Sequence, residues 1–366
     1  MSRSDTDPLD WIRPQIAALK AYSVADASGL VKLDAMENPH RWPAGMRQAW
    51  QAELANIAVN RYPDPRAPAL QAALREAMGI PASAEILLGN GSDEIIQMLA
   101  LAFAKPGAVL LAPEPSFVMY KLTAEICGLR YAGVPLRPDY QLDTGAMLAA
   151  LARERPALVF IANPNNPTGN AFDAAAIRQV IEQAPGLVVL DEAYYPFTEA
   201  NALGWLGQYP NLAVMRTVSK LGLAGLRLGL LCGPARWLEQ IDKTRLPYNI
   251  NVLTQASVAF ALGHAQVLNA QAGAIRAERE RLYRELQLRK PLTVYPSEAN
   301  FLLFRTAAGR AGALHQALRT GGVLIKNLHG SHPMLAGCLR VTVGLPEENT
   351  IFLNALDAAL AKEPGK

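Results

Sequence analysis

Ala157-Leu158-Val159-Phe160-Ile161-Ala162-Asn163-Pro164-Asn165-Asn166-Pro167-Thr168-Gly169 is the stretch that decides the fold. Its first part, Ala157–Ile161, is apolar without interruption, which predicts a strand buried on both faces. Its second part crowds turn-forming residues into a stiff loop at that strand's carboxyl end. In open α/β sheets this is the edge where ligands bind, and an Asn amide held rigidly there can donate to a ligand oxygen. A loop with only a structural task would not need residues this specific.

Outward from this stretch the same alternation repeats. Short apolar runs predict strands at Glu85–Leu88, Ala108–Ala112, Arg130–Val134, Leu187–Leu190, Leu212–Thr217 and Leu228–Cys232. Helical stretches fall between them at Ser92–Ala104, Ser116–Cys127, Asp143–Arg153 and Asp173–Gln183. Strands interleaved with helices imply an α/β chain with a mostly parallel sheet covered on both sides. The composition shifts after about Asn251, with two long helical stretches ending near Leu288, strands around Asn300–Phe304 and Cys338–Val343, and a last helix from Pro346. The expected organisation is a large domain over 44–255, with 1–43 and 256–366 forming an N-terminal arm and a smaller α+β domain.

With 366 residues, 51% hydrophobic and 18% charged, the chain is long enough for both. A net charge of +3 points to neither a nucleic-acid groove nor a membrane-surface patch. The three cysteines, Cys127, Cys232 and Cys338, fit no disulfide framework and no metal spacing. With no apolar run of membrane-spanning length, the expectation is a soluble cytoplasmic protein.

Several short motifs could carry chemistry. Gly89-Asn90-Gly91-Ser92-Asp93-Glu94 follows a strand and opens a helix, where backbone N–H groups and the helix dipole suit a phosphate. Its bland alternative is a helix capped by Ser92 or Asp93. Asp191, at the tip of a buried strand, could ligate a metal, cap a helix or pair with a cationic ring nitrogen. Ser219-Lys220 and Gly225-Leu226-Arg227-Leu228-Gly229 place a lysine and an arginine in a glycine-rich loop, one a candidate nucleophilic amine and the other an anion clamp. Arg340 lies in an otherwise apolar strand and needs an anion, internal or from a substrate. His329 and His332 have no nearby acid or thiol to complete a metal site, so no metal is expected.

Taken together, and in this order, these segments resemble the fold-type-I aminotransferases of the class-I/II superfamily, in particular the histidinol-phosphate aminotransferases. The resemblance runs from about Tyr22 to Glu348 through Glu37-Asn38-Pro39, Arg61-Tyr62-Pro63-Asp64, Gly91-Ser92-Asp93-Glu94, Asn165–Gly169, Asp191-Glu192-Ala193-Tyr194, Ser219-Lys220, Gly225-Leu226-Arg227, Asn300-Phe301 and Leu339–Gly344. It implies that pyridoxal 5'-phosphate is held as an imine on Lys220, which then moves protons as base and acid. It implies that Asp191 keeps the pyridine nitrogen protonated, that Asn166 and Tyr194 donate to the phenolic oxygen, and that Phe117 stacks on the ring. Gly91, Ser92, Asp93, Ser219 and Arg227 are implied to hold the phosphate, with Tyr62 reaching the cofactor phosphate of the neighbouring subunit in a homodimer. Arg340, Tyr22, Asn38 and Lys326 are the implied substrate contacts.

The sequence departs from the family at three places. Lys326 stands where a second anion-binding arginine is expected, which gives a point charge instead of a fork. His40-Arg41 replaces the common Tyr-Gly after Glu37-Asn38-Pro39, and the loop from Lys220 to Arg227 is one residue shorter than in many relatives. The implied reaction converts histidinol phosphate and 2-oxoglutarate to imidazole-acetol phosphate and glutamate. Other readings are an aromatic amino-acid aminotransferase, a phosphothreonine-type decarboxylase, and a cofactor-binding regulator without turnover. For the regulator, the chain carries no evident DNA-binding segment.

Overall fold

The computed structural model describes residues 7–21 and 24–361. Seven strands form the larger sheet: β2 (Glu85–Gly89), β3 (Val109–Glu114), β4 (Arg130–Pro135), β5 (Leu158–Ala162), β6 (Leu187–Asp191), β7 (Leu212–Thr217) and β8 (Gly229–Gly233), in the order β2-β8-β7-β6-β5-β3-β4. The pairs from β4 through β7 are parallel, and β8 runs antiparallel to both its neighbours. All five residues of β5 are buried, and they alternate between two cores. Leu158 and Phe160 enter one, packed with Leu110, Leu187 and Met215, while Val159 and Ile161 enter the other with Leu111, Val188 and Val214. That alternation under an unbroken apolar run is what a sheet covered on both faces demands.

The four-residue α1 (Pro14–Ala17) buries none of its residues, and the cover comes from helices in chain order: α2 (Ala44–Leu54), α3 (Pro68–Met78), α4 (Ser92–Phe103), α5 (Val118–Cys127), α6 (Thr144–Glu154), α7 (Ala174–Gln183), α8 (Ala235–Asp242) and α9 (Val252–Leu262). α6 and α7 start on Asp143 and Asp173, whose carboxylates accept from Ala146 and Ala175 N–H, a side-chain cap that fixes each start. The long helix α10 (Ala265–Gln287) leads to a five-stranded sheet made of β1 (Val31–Leu33), β9 (Thr293–Val294), β10 (Phe301–Arg305), β11 (Val323–Asn327) and β12 (Cys338–Thr342), with α11 (Ala311–Thr320) and α12 (Pro346–Ala361) packed on it. β1 pairs in parallel with β11, so the N-terminal segment completes the smaller sheet. β1 and β11 escape a sequence reading because each is short and neither alternates nor runs apolar for long, although Ser28-Gly29 and Gly321-Gly322 precede them as turn residues. Among the described residues no helix is long and apolar enough to cross a membrane.

Topology gathers the motifs at one edge. β5, β6 and β7 are adjacent and parallel, so Asn163, Asp191 and the Val218–Lys220 turn all follow carboxyl ends on the same side. β8 runs the other way, which puts its first residue, Gly229, across from Thr217, the last residue of β7. Gly229 also faces Gly89, the last residue of β2. The turn into α4 therefore joins the same edge.

Candidate active site

A cavity of about 370 Å³ opens at that edge, lined by Ser92, Asp93, Phe117, Asn166, Asp191, Tyr194, Ser219, Lys220 and Arg227, with the Ala35–Glu37 segment closing one side. This volume lies within the range of small-ligand pockets.

Its floor is the start of α4. Neither Ser92 nor Asp93 caps that helix; the cap position is Gly91 at φ +82°, with no side-chain hydrogen bond. The alternative of a side-chain cap by Ser92 or Asp93 is thus not what the structure has, and the free first-turn N–H groups suit an external anion. A Cβ on Gly91 would stand 2.6 Å from the Arg227 guanidinium, and one on Gly229 would stand 2.7 Å from the Gly91 carbonyl carbon and the Ser92 nitrogen. Both positions require glycine for close approach. Arg227 is tethered over this turn by Asp93, at 3.1 Å. The Asp93 carboxylate therefore aims the guanidinium. Ser219 is buried, its hydroxyl 2.8 Å from that of Thr217.

Asp191 lies deeper and is buried. Its carboxylate accepts from the Tyr120 hydroxyl at 2.6 Å and from the Ala193 N–H at 3.0 Å. Burial raises its pKa from 3.8 to about 6, against the pull of those two hydrogen bonds. Tyr120 is fully buried, stacked on Phe160 at 4.5 Å and edge-on to Phe117. No motif marks Tyr120; its one clue in the sequence is helical spacing, three residues after Phe117.

Of the asparagines in the decisive stretch, Asn163 and Asn165 are internal fasteners: Asn163 accepts from Phe172 N–H, while Asn165 bonds Ser116, Thr168 and the Pro115 carbonyl. Asn166 is the one turned to the cavity, where its Nδ2 donates to the Tyr194 hydroxyl at 3.1 Å and its Oδ1 accepts from Arg340 at 2.6 Å. Arg340, on β12, also donates to the Asp34 carbonyl and lies over Phe301. Lys326 on β11 is its direct cross-strand partner, so the two cations share a face of the sheet. Lys220 lies 5.7 Å from the Tyr194 ring centre, and burial, helped by Arg340, brings its pKa down from 10.5 to about 8.

The remaining expected residues fall elsewhere. Asn38 lines an adjoining cavity and is engaged with the Leu221 carbonyl, Gln271 and the His40 N–H. Tyr62 is 81% exposed and stacks on Tyr248, away from this chain's own cavity. Tyr22 lies outside the described residues. His329 and His332 accept from Gly337 and Met334 N–H as loop fasteners. Among the described residues no group of His, Cys, Asp and Glu is set to hold a metal ion.

A lysine with a lowered pKa, a buried carboxylate awaiting a cation and a phosphate-ready helix start, at the carboxyl edge of a mostly parallel sheet, define a fold-type-I transferase site. Comparison with known proteins agrees. A histidinol-phosphate aminotransferase of Cupriavidus pinatubonensis is 54% identical over 354 residues, 95% of this chain and 96% of that protein. One from Chromobacterium violaceum is 53% identical over 345 residues, 94% of this chain and 96% of its own length. Among solved structures, histidinol-phosphate aminotransferase from Sinorhizobium meliloti in complex with pyridoxal-5'-phosphate superposes with a TM-score of 0.86 at 25% identity, covering 98% of this chain and 99% of that one. The chain belongs to the aminotransferase class I and II family, whose description matches residues 28–356, and within it to the histidinol-phosphate aminotransferases. The cofactor of the family is pyridoxal phosphate, and the cavity fits it: the glycine-lined, uncapped helix start suits its phosphate, and the Asp191 carboxylate suits its pyridinium nitrogen.

Proposed function

We propose that this protein transfers the amino group of histidinol phosphate to 2-oxoglutarate, giving imidazole-acetol phosphate and glutamate, as a cytoplasmic homodimer. The observation that carries this reading is the linkage of Arg340 to the cofactor cavity through Asn166. It sets a buried guanidinium for a substrate anion beside the Lys220 amine.

Pyridoxal phosphate supplies a carbonyl carbon that condenses with amines and a protonated ring that accepts electrons. Lys220 Nζ takes the proton from the amine-bearing carbon of the substrate and later returns one. A pKa near 8 keeps part of the amine neutral for that work at physiological pH. With the cofactor bound, Asp191 would hold a proton on its pyridine nitrogen by charge, Phe117 would pack against its ring, and Asn166 and Tyr194 would hydrogen-bond its phenolic oxygen. Asn166 Nδ2 donates to the Tyr194 oxygen, so the tyrosine's own hydrogen is available to the ligand. The α4 start with Gly91, Ser92 and Asp93, the Ser219 hydroxyl and the Arg227 guanidinium hold the cofactor phosphate.

Arg340 and Lys326 take the phosphate of one substrate and a carboxylate of the other, Asn38 shapes the neighbouring wall, and Tyr22 is a further contact. The exposed Tyr62 reaches the cofactor phosphate of the second subunit, so activity requires the dimer. Assay of the purified protein with histidinol phosphate against phenylalanine, tyrosine and aspartate tests the substrate. The expected result is the highest kcat/KM with histidinol phosphate, and a large preference for an aromatic amino acid overturns it.

A further inference from the structure

Beside the cofactor cavity lies a second one of about 330 Å³, lined by Lys32, Asn38, Thr342 and Glu348 among others. The two share Glu37, Ala224 and Gly225, so a substrate attached over Lys220 can extend its side chain past Glu37. The backbone that presents Glu37 is pinned. The fully buried Asn300 donates to the carbonyls of Met36 at 2.9 Å and Glu37 at 3.3 Å, and the Met36 N–H donates to Thr342 Oγ1 at 3.0 Å. Met36 itself is held at φ +52°, a conformation that L side chains rarely adopt. A strained residue held at both its N–H and its carbonyl next to a cavity marks a segment whose placement matters.

Four acids line the two cavities. Asp93 is tethered to Arg227, Asp191 holds the Tyr120 hydroxyl and the Ala193 N–H, and Glu348 accepts from the Leu345 N–H at 2.8 Å. Glu37 is half exposed at the mouth of the two cavities and pairs with Lys32 at 2.5 Å through Oε2, which leaves Oε1 without a hydrogen bond to the described residues and open to a ligand. An imidazole ring carries at least one N–H, and a site that buries it must supply an acceptor. A carboxylate is the strongest acceptor available.

We propose that Glu37 is the residue by which this protein selects an imidazole side chain: its carboxylate accepts the ring N–H of the amino donor in the second cavity. The inference rests on the amino-donor reading above. Lys32 has a complementary task, because it keeps the pair neutral so that the dicarboxylate acceptor is not repelled from the same wall.

The test compares histidinol phosphate with 2-amino-3-phenylpropyl phosphate, which has the same amine and phosphate and a ring without N–H. In Glu37→Gln the ratio of kcat/KM between the two substrates falls about tenfold, and in Glu37→Leu it falls further, chiefly through KM for histidinol phosphate. The Glu37 charge also raises the Lys220 pKa, so absolute turnover shifts on both substrates and the ratio isolates the ring contact, while the melting temperature stays at the wild-type value. Where the phenyl compound turns over too slowly, dissociation constants from the absorbance of bound cofactor give the same ratio. An unchanged ratio in both variants, or an equal loss on both substrates, overturns the role of Glu37. A wild-type protein that does not use histidinol phosphate overturns the amino-donor reading instead.

Discussion

Asp191 and Glu192 are neighbours at the tip of one strand, both are buried, and strand alternation sends their side chains to opposite sides. Glu192 is closed off by the chain's own groups. Arg216 donates two hydrogen bonds to it, at 2.9 and 2.7 Å, and the Ala202 N–H a third at 2.6 Å, while the guanidinium lies over the Tyr195 ring. Asp191 has only two neutral donors and an open cavity. Burial raises the pKa of both, and for Glu192 the charge of Arg216 opposes it. A buried acid matched with its own cation is architecture. A buried acid given only neutral partners is poised for a cation that arrives with a ligand.

Mutations on the two sides should therefore report on different quantities. The largest effect is expected at the cavity: Lys220→Ala lowers transamination by about four orders of magnitude, measured as kcat, while circular dichroism shows an unchanged fold. On the closed side, Arg216→Met leaves Glu192 buried without its cation and costs about 3–5 kcal/mol in chemical unfolding, whereas pairing it with Glu192→Leu recovers most of that. An equal loss of stability in single and double variants would break the comparison.

Asp191→Asn sharpens it. Activity falls by about 10²–10³-fold, since the charge that holds the ring proton is gone. Stability moves the other way in the cofactor-free protein. The Asp191 pKa of about 6 lies above the ordinary 3.8, so between those values the folded state binds more protons than the unfolded one. This residue's contribution is thus most favourable in acid and is lost as pH rises from about 4 to 6. Above that window Asp191→Asn should melt higher than wild type, and at pH 4 the two should converge. The smallest effect belongs to Tyr120→Phe, which keeps the stack on Phe160 and removes one hydrogen bond to Asp191. The acid limb of the kcat/KM profile moves to higher pH, with about a tenfold loss at its optimum.

Much of this was legible in the chain. The unbroken apolar run of β5 announced a strand covered on both faces, and the strands and helices from Glu85 to Gly233 followed from the same alternation. The site residues were legible as separate motifs, each placed where a strand gives way to a turn. Residues that act by meeting across space were harder to see. Tyr120 reads as one more apolar-face residue of α5, and only the sheet beneath it brings its hydroxyl to Asp191. Glu37 is legible only as the first residue of the Glu37-Asn38-Pro39 motif, and Asn300, far along the chain, holds its carbonyl in place.

The sequence by itself determined the periodicities, the turn chemistry and the order of the motifs, because these are local consequences of side-chain shape and backbone freedom. Tertiary structure alone decided which of two adjacent acids faces a cation and which faces a cavity. It likewise decided that Lys220 sits where burial and Arg340 lower its pKa to about 8. Desolvation and Coulomb interaction depend on what lies within a few ångströms, and in a folded chain those neighbours come from anywhere in the sequence.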